Sequence, residues 1–183
     1  MRELSLNILD VAQNSISAGA SLITVEVTED TELKTLSVNI IDNGSGMTSE
    51  QLEKVRDPFY TTRTTRKVGM GIPLFKMAAE QTGGCFSINS APGKGTEVSA
   101  VFKTDSVDFT PLGDMRSTVI MLVTMNTDRD FVYRRVLDGR EFVLDTREIK
   151  AVLGEVPLDN PDVTEWLKGY IDENVNNLYG GVQ

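Results

Sequence analysis

An α+β fold is predicted by three features of the 183-residue sequence. Apolar residues recur at helical spacing near the amino terminus, β-branched runs come in pairs joined by polar turns, and proline and glycine punctuate the helical stretches. With 40% hydrophobic and 25% charged residues the composition is that of an ordinary globular protein. The length suits one large domain, or one domain with an appendage.

The first element is a helix over Leu4 to Ala18: Leu4, Ile8, Val11 and Ser15 share a stripe, Leu6, Leu9 and Ala12 flank it, and Gly19 closes it. "LITVEV" from Leu22 and "LSVNIID" from Leu36 are strands, joined as a hairpin by the acidic turn "TEDTELK". Thr48 or Ser49 caps a short helix through Glu50, Gln51, Leu52 and Val55, which Pro58 ends. The polar, basic loop "YTTRTTRKVGMG" leads into the helix "IPLFKMAAEQTGG", with Pro73 in its first turn and Gly83 and Gly84 after its last. "CFSINS" and "TEVSAVF" pair across "APGKG". Lys103 to Asp114, containing Pro111 and Gly113, reads as a linker. Beyond it "STVIMLVTMN", "FVYRRVL" and "EFVLDT" read as strands, while "TREIKAVLG" and "DVTEWLKGYIDENVNNL" read as helices, the latter opening after Pro161. The expected division is a core over residues 1–104, a linker over 105–116 and a β/α extension over 117–183.

A formal charge of -9 repels phosphate backbones and anionic lipid, so neither nucleic acid nor a membrane surface is an expected partner. No apolar run approaches the roughly 20 residues that span a bilayer. "MRELSLNILDV" lacks the apolar core of a signal peptide, which makes the cytoplasm the default location. The single cysteine, Cys85, forms no internal disulfide or cysteine metal site and is expected to be buried and inert. The chain has no histidine, which removes the Ser-His-Asp triad, the Cys-His dyad, most zinc sites and any phosphohistidine carried on this chain.

The familiar phosphate and cation loops do not fit. "GKGT" at Gly93 to Thr96 lacks the earlier glycine and the Lys-Ser/Thr pair of a Walker A loop, and "GMGIPL" lacks the third glycine of a dinucleotide fingerprint. A calcium loop opening at Asp42 would set Gly44, Gly46 and Met47 where oxygen ligands and the turn glycine belong.

Four short blocks remain, in fixed order: Asp10 to Asn14, Asp42 to Gly46, Gly69 to Gly71, and Gly93 to Thr96. In their setting of "LDVAQNSISAGA", "DNGSGM", "DPFYTTR", "VGMGIPLFKMAAEQTGG" and "GKGTEV", they resemble the ATP-binding boxes shared by gyrase, heat-shock chaperones, histidine kinases and mismatch-repair ATPases. The resemblance runs from about Leu6 to Phe102. It implies a two-layer α/β sandwich, a mixed sheet covered on one face by helices, with ATP between the helices and a mobile lid.

Carried over residue by residue, the resemblance makes Asp42 the acceptor for the exocyclic amine of adenine. Gly44 and Gly46 let backbone and base approach each other. Thr96 matches the threonine that supports that aspartate through water. Asn14 matches the ligand of the magnesium that bridges the nucleotide phosphates. Asp10 stands where relatives carry a glutamate base or an asparagine, and with one methylene less reach it is the candidate base. Ser17 departs from the pattern, since mismatch-repair relatives carry an acid there and many histidine kinases a lysine. Phe59 resembles a packing residue at the entry to the lid, and Arg63, Arg66 and Lys67 are the dense positive charge expected of a phosphate clamp. Gly69 and Gly71 precede a helix whose first amides can meet phosphate oxygens. Met47, Met70 and Met77 are candidates for the adenine slot, although methionines in such places are more often core filler.

Many relatives have a strand ahead of the first box, so strands after Ser117 are expected to complete or extend the sheet here, with the last helix packed outside. The resemblance implies a stand-alone Mg-ATP-binding protein of the kinase-like branch, which phosphorylates a partner or hydrolyses ATP slowly. Any phosphohistidine would form on another protein, and a serine kinase acting on a regulatory partner, as in anti-sigma factors, is compatible with an acid at position 10. The alternative is a non-catalytic module whose lid closes on ATP and changes its affinity for a protein partner. A mismatch-repair type ATPase, suggested by "NSISAGAS", ranks last, because the acidic charge and short tail leave little room for a DNA-handling module.

Overall fold

The computed structural model describes residues 3–57 and 70–181. Pro58, Phe59, Arg63, Arg66, Lys67 and Gly69, on which several expectations fall, lie outside the described residues. The elements are α1 (Leu4–Ser17), β1 (Leu22–Asp30), β2 (Thr35–Asp42), α2 (Ser49–Arg56), α3 (Gly71–Gln81), β3 (Cys85–Ser90), β4 (Thr96–Lys103), α4 (Met115–Met125), β5 (Asp130–Leu137), β6 (Arg140–Asp145), α5 (Thr146–Leu153) and α6 (Pro161–Leu178). The strands form one mixed sheet in the order β3-β4-β2-β1-β5-β6. β1 pairs antiparallel with β2 and parallel with β5, and every other pairing is antiparallel. The strands that follow Ser117 therefore extend the sheet, as expected.

Strand periodicity divides the sheet into a covered and an open face. Ile23, Val25 and Val27 of β1, Leu36, Val38 and Ile40 of β2, Val98, Ala100 and Phe102 of β4, and Phe131 and Tyr133 of β5 all point to the helices and are buried. α1 and α3 pack on the first half of that face, with Phe75 of α3 in ring contact with Phe86 and Phe102, at 6.5 and 5.5 Å between centroids. α4 and α6 cover the second half, and α6 buries Val163, Leu167, Ile171 and Leu178. This last helix lies in the same layer as α1 rather than outside it.

α1 starts without a capping side chain. The amides of Leu4 and Ser5 donate instead to the carbonyls of Pro111 and Leu112 at 2.9 and 2.8 Å, so the segment between β4 and α4 caps the helix and fixes its start. α2 opens on Thr48 with a full capping box to Gln51.

Two expectations are corrected. "STVIMLVTMN" is not a strand: it forms α4, capped by Asp114, whose carboxylate accepts from the Ser117 amide at 2.9 Å and the Ser117 hydroxyl at 2.6 Å. Its apolar residues run without helical interruption because Met115, Thr118, Val119, Ile120, Leu122 and Val123 are all buried, between α1, β5 and α6. Cys85 is exposed, not buried: it opens β3, an edge strand, and faces the open side of the sheet. Among the described residues no helix is long and apolar enough to cross a membrane.

Candidate nucleotide-binding site

Asp42 ends β2 on the buried parity of the strand, continuing the series Leu36, Val38 and Ile40, and is 8% exposed. Burying a carboxylate there is costly unless it is hydrogen-bonded. Two hydrogen bonds are built in: the Ser15 hydroxyl of α1 donates to Oδ2 at 2.5 Å, and the Gly44 amide donates to Oδ1 at 2.9 Å. A carboxylate offers about four lone-pair sites, so Asp42 keeps acceptor capacity for an external N–H donor. Ser15 is the functional residue that motif reading passed over. The signal was present, since a hydroxyl on the Leu4, Ile8, Val11 stripe is a buried polar group in search of a partner.

After Asp42 the chain crosses three neighbours. The Asn43 side chain accepts from the amides of Ser21 and Leu22 at 2.9 and 3.0 Å, the Ser45 amide donates to the Ala18 carbonyl at 2.9 Å, and the Gly93 amide donates to the Ser45 carbonyl at 2.7 Å. Gly46 has φ +67°, and a Cβ on it would fall 1.9 Å from the Ala91 carbonyl oxygen. A Cβ on Gly44 would meet the Ala18 carbonyl oxygen at 2.9 Å and Asp42 Oδ1 at 3.1 Å. Backbone crossing is thus the immediate reason for both glycines.

Thr96 is the cross-strand partner of Asp42. Its hydroxyl oxygen lies 2.9 Å from the Ser90 hydroxyl, which also accepts from the Met47 amide and donates to the Gly95 carbonyl, each at 2.9 Å. The direct supporter of Asp42 is accordingly Ser15, while Thr96 ties the floor together beneath. Met47 is half-buried and packs on the core.

Asp10 and Asn14 lie one turn apart on α1, on the side toward α3. Asp10 is exposed and Asn14 half-buried, and neither side chain has a hydrogen-bond partner among the described residues. Gly71 begins α3 directly against Asp10, where an added Cβ would stand 2.9 Å from Asp10 Cβ. The helix therefore presents its start beside Asp10, although Pro73 contributes no amide. Met70 and Met77, 57% and 48% exposed, are not core filler. Among the described residues no cluster of three or more Asp, Glu, Cys or His could hold a metal ion by itself. Magnesium fits this site only in company with phosphate oxygens, with the free Asn14 amide oxygen as its protein ligand.

A family model described as histidine kinase-, DNA gyrase B-, and HSP90-like ATPase matches residues 1–106. Sporulation kinase B of Bacillus subtilis (strain 168) is 31% identical over 106 residues, covering 56% of this chain and 24% of that protein. Sensor histidine kinase ZraS of Klebsiella oxytoca is 34% identical over 95 residues, covering 52% of this chain and 20% of its own. The chain thus spans about a quarter or less of the length of these curated relatives. Among solved structures, the N-terminal domain of a DNA repair protein aligns with TM-score 0.59 and 16% identity over 85% of this chain and 58% of that one. The Aquifex aeolicus MutL ATPase domain, complexed with ADP, aligns with TM-score 0.51 and 14% identity over 92% of this chain and 88% of that one. At such identities the likeness is one of fold. It reaches past the 106 matched residues into the part of the chain that holds β5 and β6.

Proposed function

Because the chain belongs to the histidine kinase-, DNA gyrase B-, and HSP90-like ATPase family, we propose that it is a Mg-ATP-binding protein that passes phosphate to a partner protein or hydrolyses ATP slowly. The observation that carries this reading is the Asp42 carboxylate, held at both oxygens by Ser15 and Gly44 and retaining capacity for the adenine amine. Asp10, set against Gly71 at the start of α3, and Asn14, one turn further along α1, are assigned to the phosphate end of the same site. Asn14 would hold magnesium, which when bound neutralises phosphate charge. Asp10, exposed and beside Gly71, is assigned the role of base that takes a proton from an acceptor hydroxyl or water. Arg63, Arg66 and Lys67 are assigned to the phosphate clamp, and Gly69 with Gly71 to the phosphate-facing start of the following helix, on sequence alone. Residues 117–183 are read as an accessory β/α unit on the 1–104 nucleotide core, and the cytoplasm as the working compartment.

Purified protein incubated with labelled ATP and candidate partner proteins tests the proposal. Label should appear on a partner or as free phosphate, and Asp10→Asn should cut that turnover roughly 100-fold or more while ATP still binds. ATP-dependent association with a partner, without transfer or hydrolysis, would replace this reading with that of an ATP-gated binding module.

A further inference from the structure

The turn that follows α1 is held from two sides. On one side it meets the loop after Asp42. The Ser45 amide donates to the Ala18 carbonyl at 2.9 Å, the Asn43 side chain accepts from the Ser21 and Leu22 amides, and a Cβ on Gly44 would fall 3.0 Å from Ala18 Cβ. On the other side the turn meets the start of β5. The Arg129 guanidinium donates to the Ala20 carbonyl, and the Asp130 amide donates to the Ser21 carbonyl at 2.8 Å. Residues 18–22 thus form a wedge between the nucleotide floor and a part of the chain that lies outside residues 1–106.

Arg129 is firmly anchored for this contact. Its carbonyl accepts from Lys150 Nζ of α5 at 2.7 Å, the same ammonium engages Asp130 Oδ1 at 2.8 Å, and the Thr146 hydroxyl accepts from the Phe131 amide at 2.9 Å. α5 therefore pins the start of β5 and, with it, the backbone of Arg129. The Arg129 side chain is only 22% exposed, and its ion pair with the largely exposed Asp128, 3.9 Å away, competes weakly for the guanidinium. Ala20 is fully buried, and its amide donates to the Ser15 carbonyl at 3.2 Å. The acceptor of Arg129 thus lies one hydrogen bond from the residue whose hydroxyl holds Asp42.

A buried carbonyl that loses its donor is costly, so the backbone that carries it shifts to find another. A shift of Ala20 reaches Ser15 directly and reaches Gly44 and Ser45 through Ala18. Ser15 and Gly44 are the two donors that fix the Asp42 carboxylate. We propose that Arg129 is a positioning residue for adenine recognition: by holding the Ala20 carbonyl it keeps the turn after α1, and hence Ser15 and Gly44, in the arrangement that aims Asp42 at the base. The inference rests on the reading of Asp42 as the adenine acceptor, and it gives the 117–183 unit a part in shaping the nucleotide floor.

The test compares the affinities of the full chain for ATP and for inosine triphosphate, which carries a carbonyl oxygen where adenine has its amine. The wild type is expected to prefer ATP by about tenfold or more. Arg129→Met keeps the aliphatic stem and removes every donor, and should cut that preference about fivefold through weaker ATP binding, with inosine triphosphate unchanged. Arg129→Gln, whose amide is too short to reach Ala20, should do the same. Tyr179→Phe is the control: its hydroxyl donates to Glu29 at 2.8 Å, at the far end of β1 from Leu22. Removing that hydroxyl loosens the same C-terminal unit without approaching the turn, so it should lower the melting temperature and keep the nucleotide preference. A wild-type preference in whichever Arg129 variant folds, equal losses for both nucleotides, or a lost preference in Tyr179→Phe would each overturn the inference and leave the Asp42 assignment standing. A wild type that binds the two nucleotides equally would overturn the Asp42 reading, and this inference with it.

Discussion

Ser15→Ala isolates the support of Asp42 from Asp42 itself. The substitution removes one hydroxyl from the inner side of α1, and with it the 2.5 Å bond to Oδ2. Ser15 is 3% exposed, so water does not simply replace the donor. Hydrogen bonds to charged groups contribute about 1.5–3 kcal/mol, and a central figure of about 2 kcal/mol is reasonable here because Gly44 continues to hold Oδ1. For a chain of this size that corresponds to a melting temperature lower by about 4–8 °C. The same loss frees the carboxylate to turn about its side-chain torsions, so ATP affinity should fall roughly tenfold, with magnesium and ionic strength held fixed. Thermal unfolding and titration calorimetry on the same preparation read the two effects separately. A normal melting temperature would refute the energetic role of the bond. A lowered melting temperature with wild-type ATP affinity would refute the claim that Ser15 positions Asp42 for the nucleotide.

Two further outcomes follow from the geometry. Gly71→Ala places a Cβ 2.9 Å from Asp10 Cβ, an atom fixed directly to the α1 backbone, so the start of α3 must move away. We expect about 1–3 kcal/mol of destabilisation in urea together with weaker ATP binding, and unchanged values for both would show that the two helices do not meet there as described. Asp114→Asn tests the α4 cap: the Ser117 hydroxyl first, and its amide second, hold the Asp114 carboxyl below its usual 3.8. A carboxyl lowered by folding adds stability above its unfolded value and loses it as the pH falls through the folded one. The melting-temperature gap between wild type and Asp114→Asn should therefore close as the pH is lowered past 3.8, and a gap independent of pH would refute the assignment.

The nucleotide half was legible in the sequence because its signals are local. A strand of β-branched residues ending on Asp42, glycines that only a tight crossing needs, and a helix opening with Pro73 all lie within a few residues of what they determine. What was missed depended on contacts distant in sequence. α4 hides its helical periodicity because its exposed face also carries apolar residues, Met121 and Met125, and only the Asp114 and Ser117 pair marks it as a helix. Cys85 was misjudged because nothing local distinguishes an edge strand from a central one. Ser15 reads as a member of the apolar stripe, because its partner Asp42 lies 27 residues further on, at the end of β2.

The central claim is that Asp42 is the adenine-recognising acceptor of a Mg-ATP site. Titration calorimetry of ATP against wild type and Asp42→Asn tests it most directly, because asparagine keeps the shape while replacing one acceptor oxygen with a donor nitrogen that faces the adenine amine. The account predicts saturable binding by the wild type and loss of measurable binding by the variant, with the variant's fold confirmed by its circular dichroism. Equal affinity in the two proteins would contradict the adenine assignment and the nucleotide site built on it.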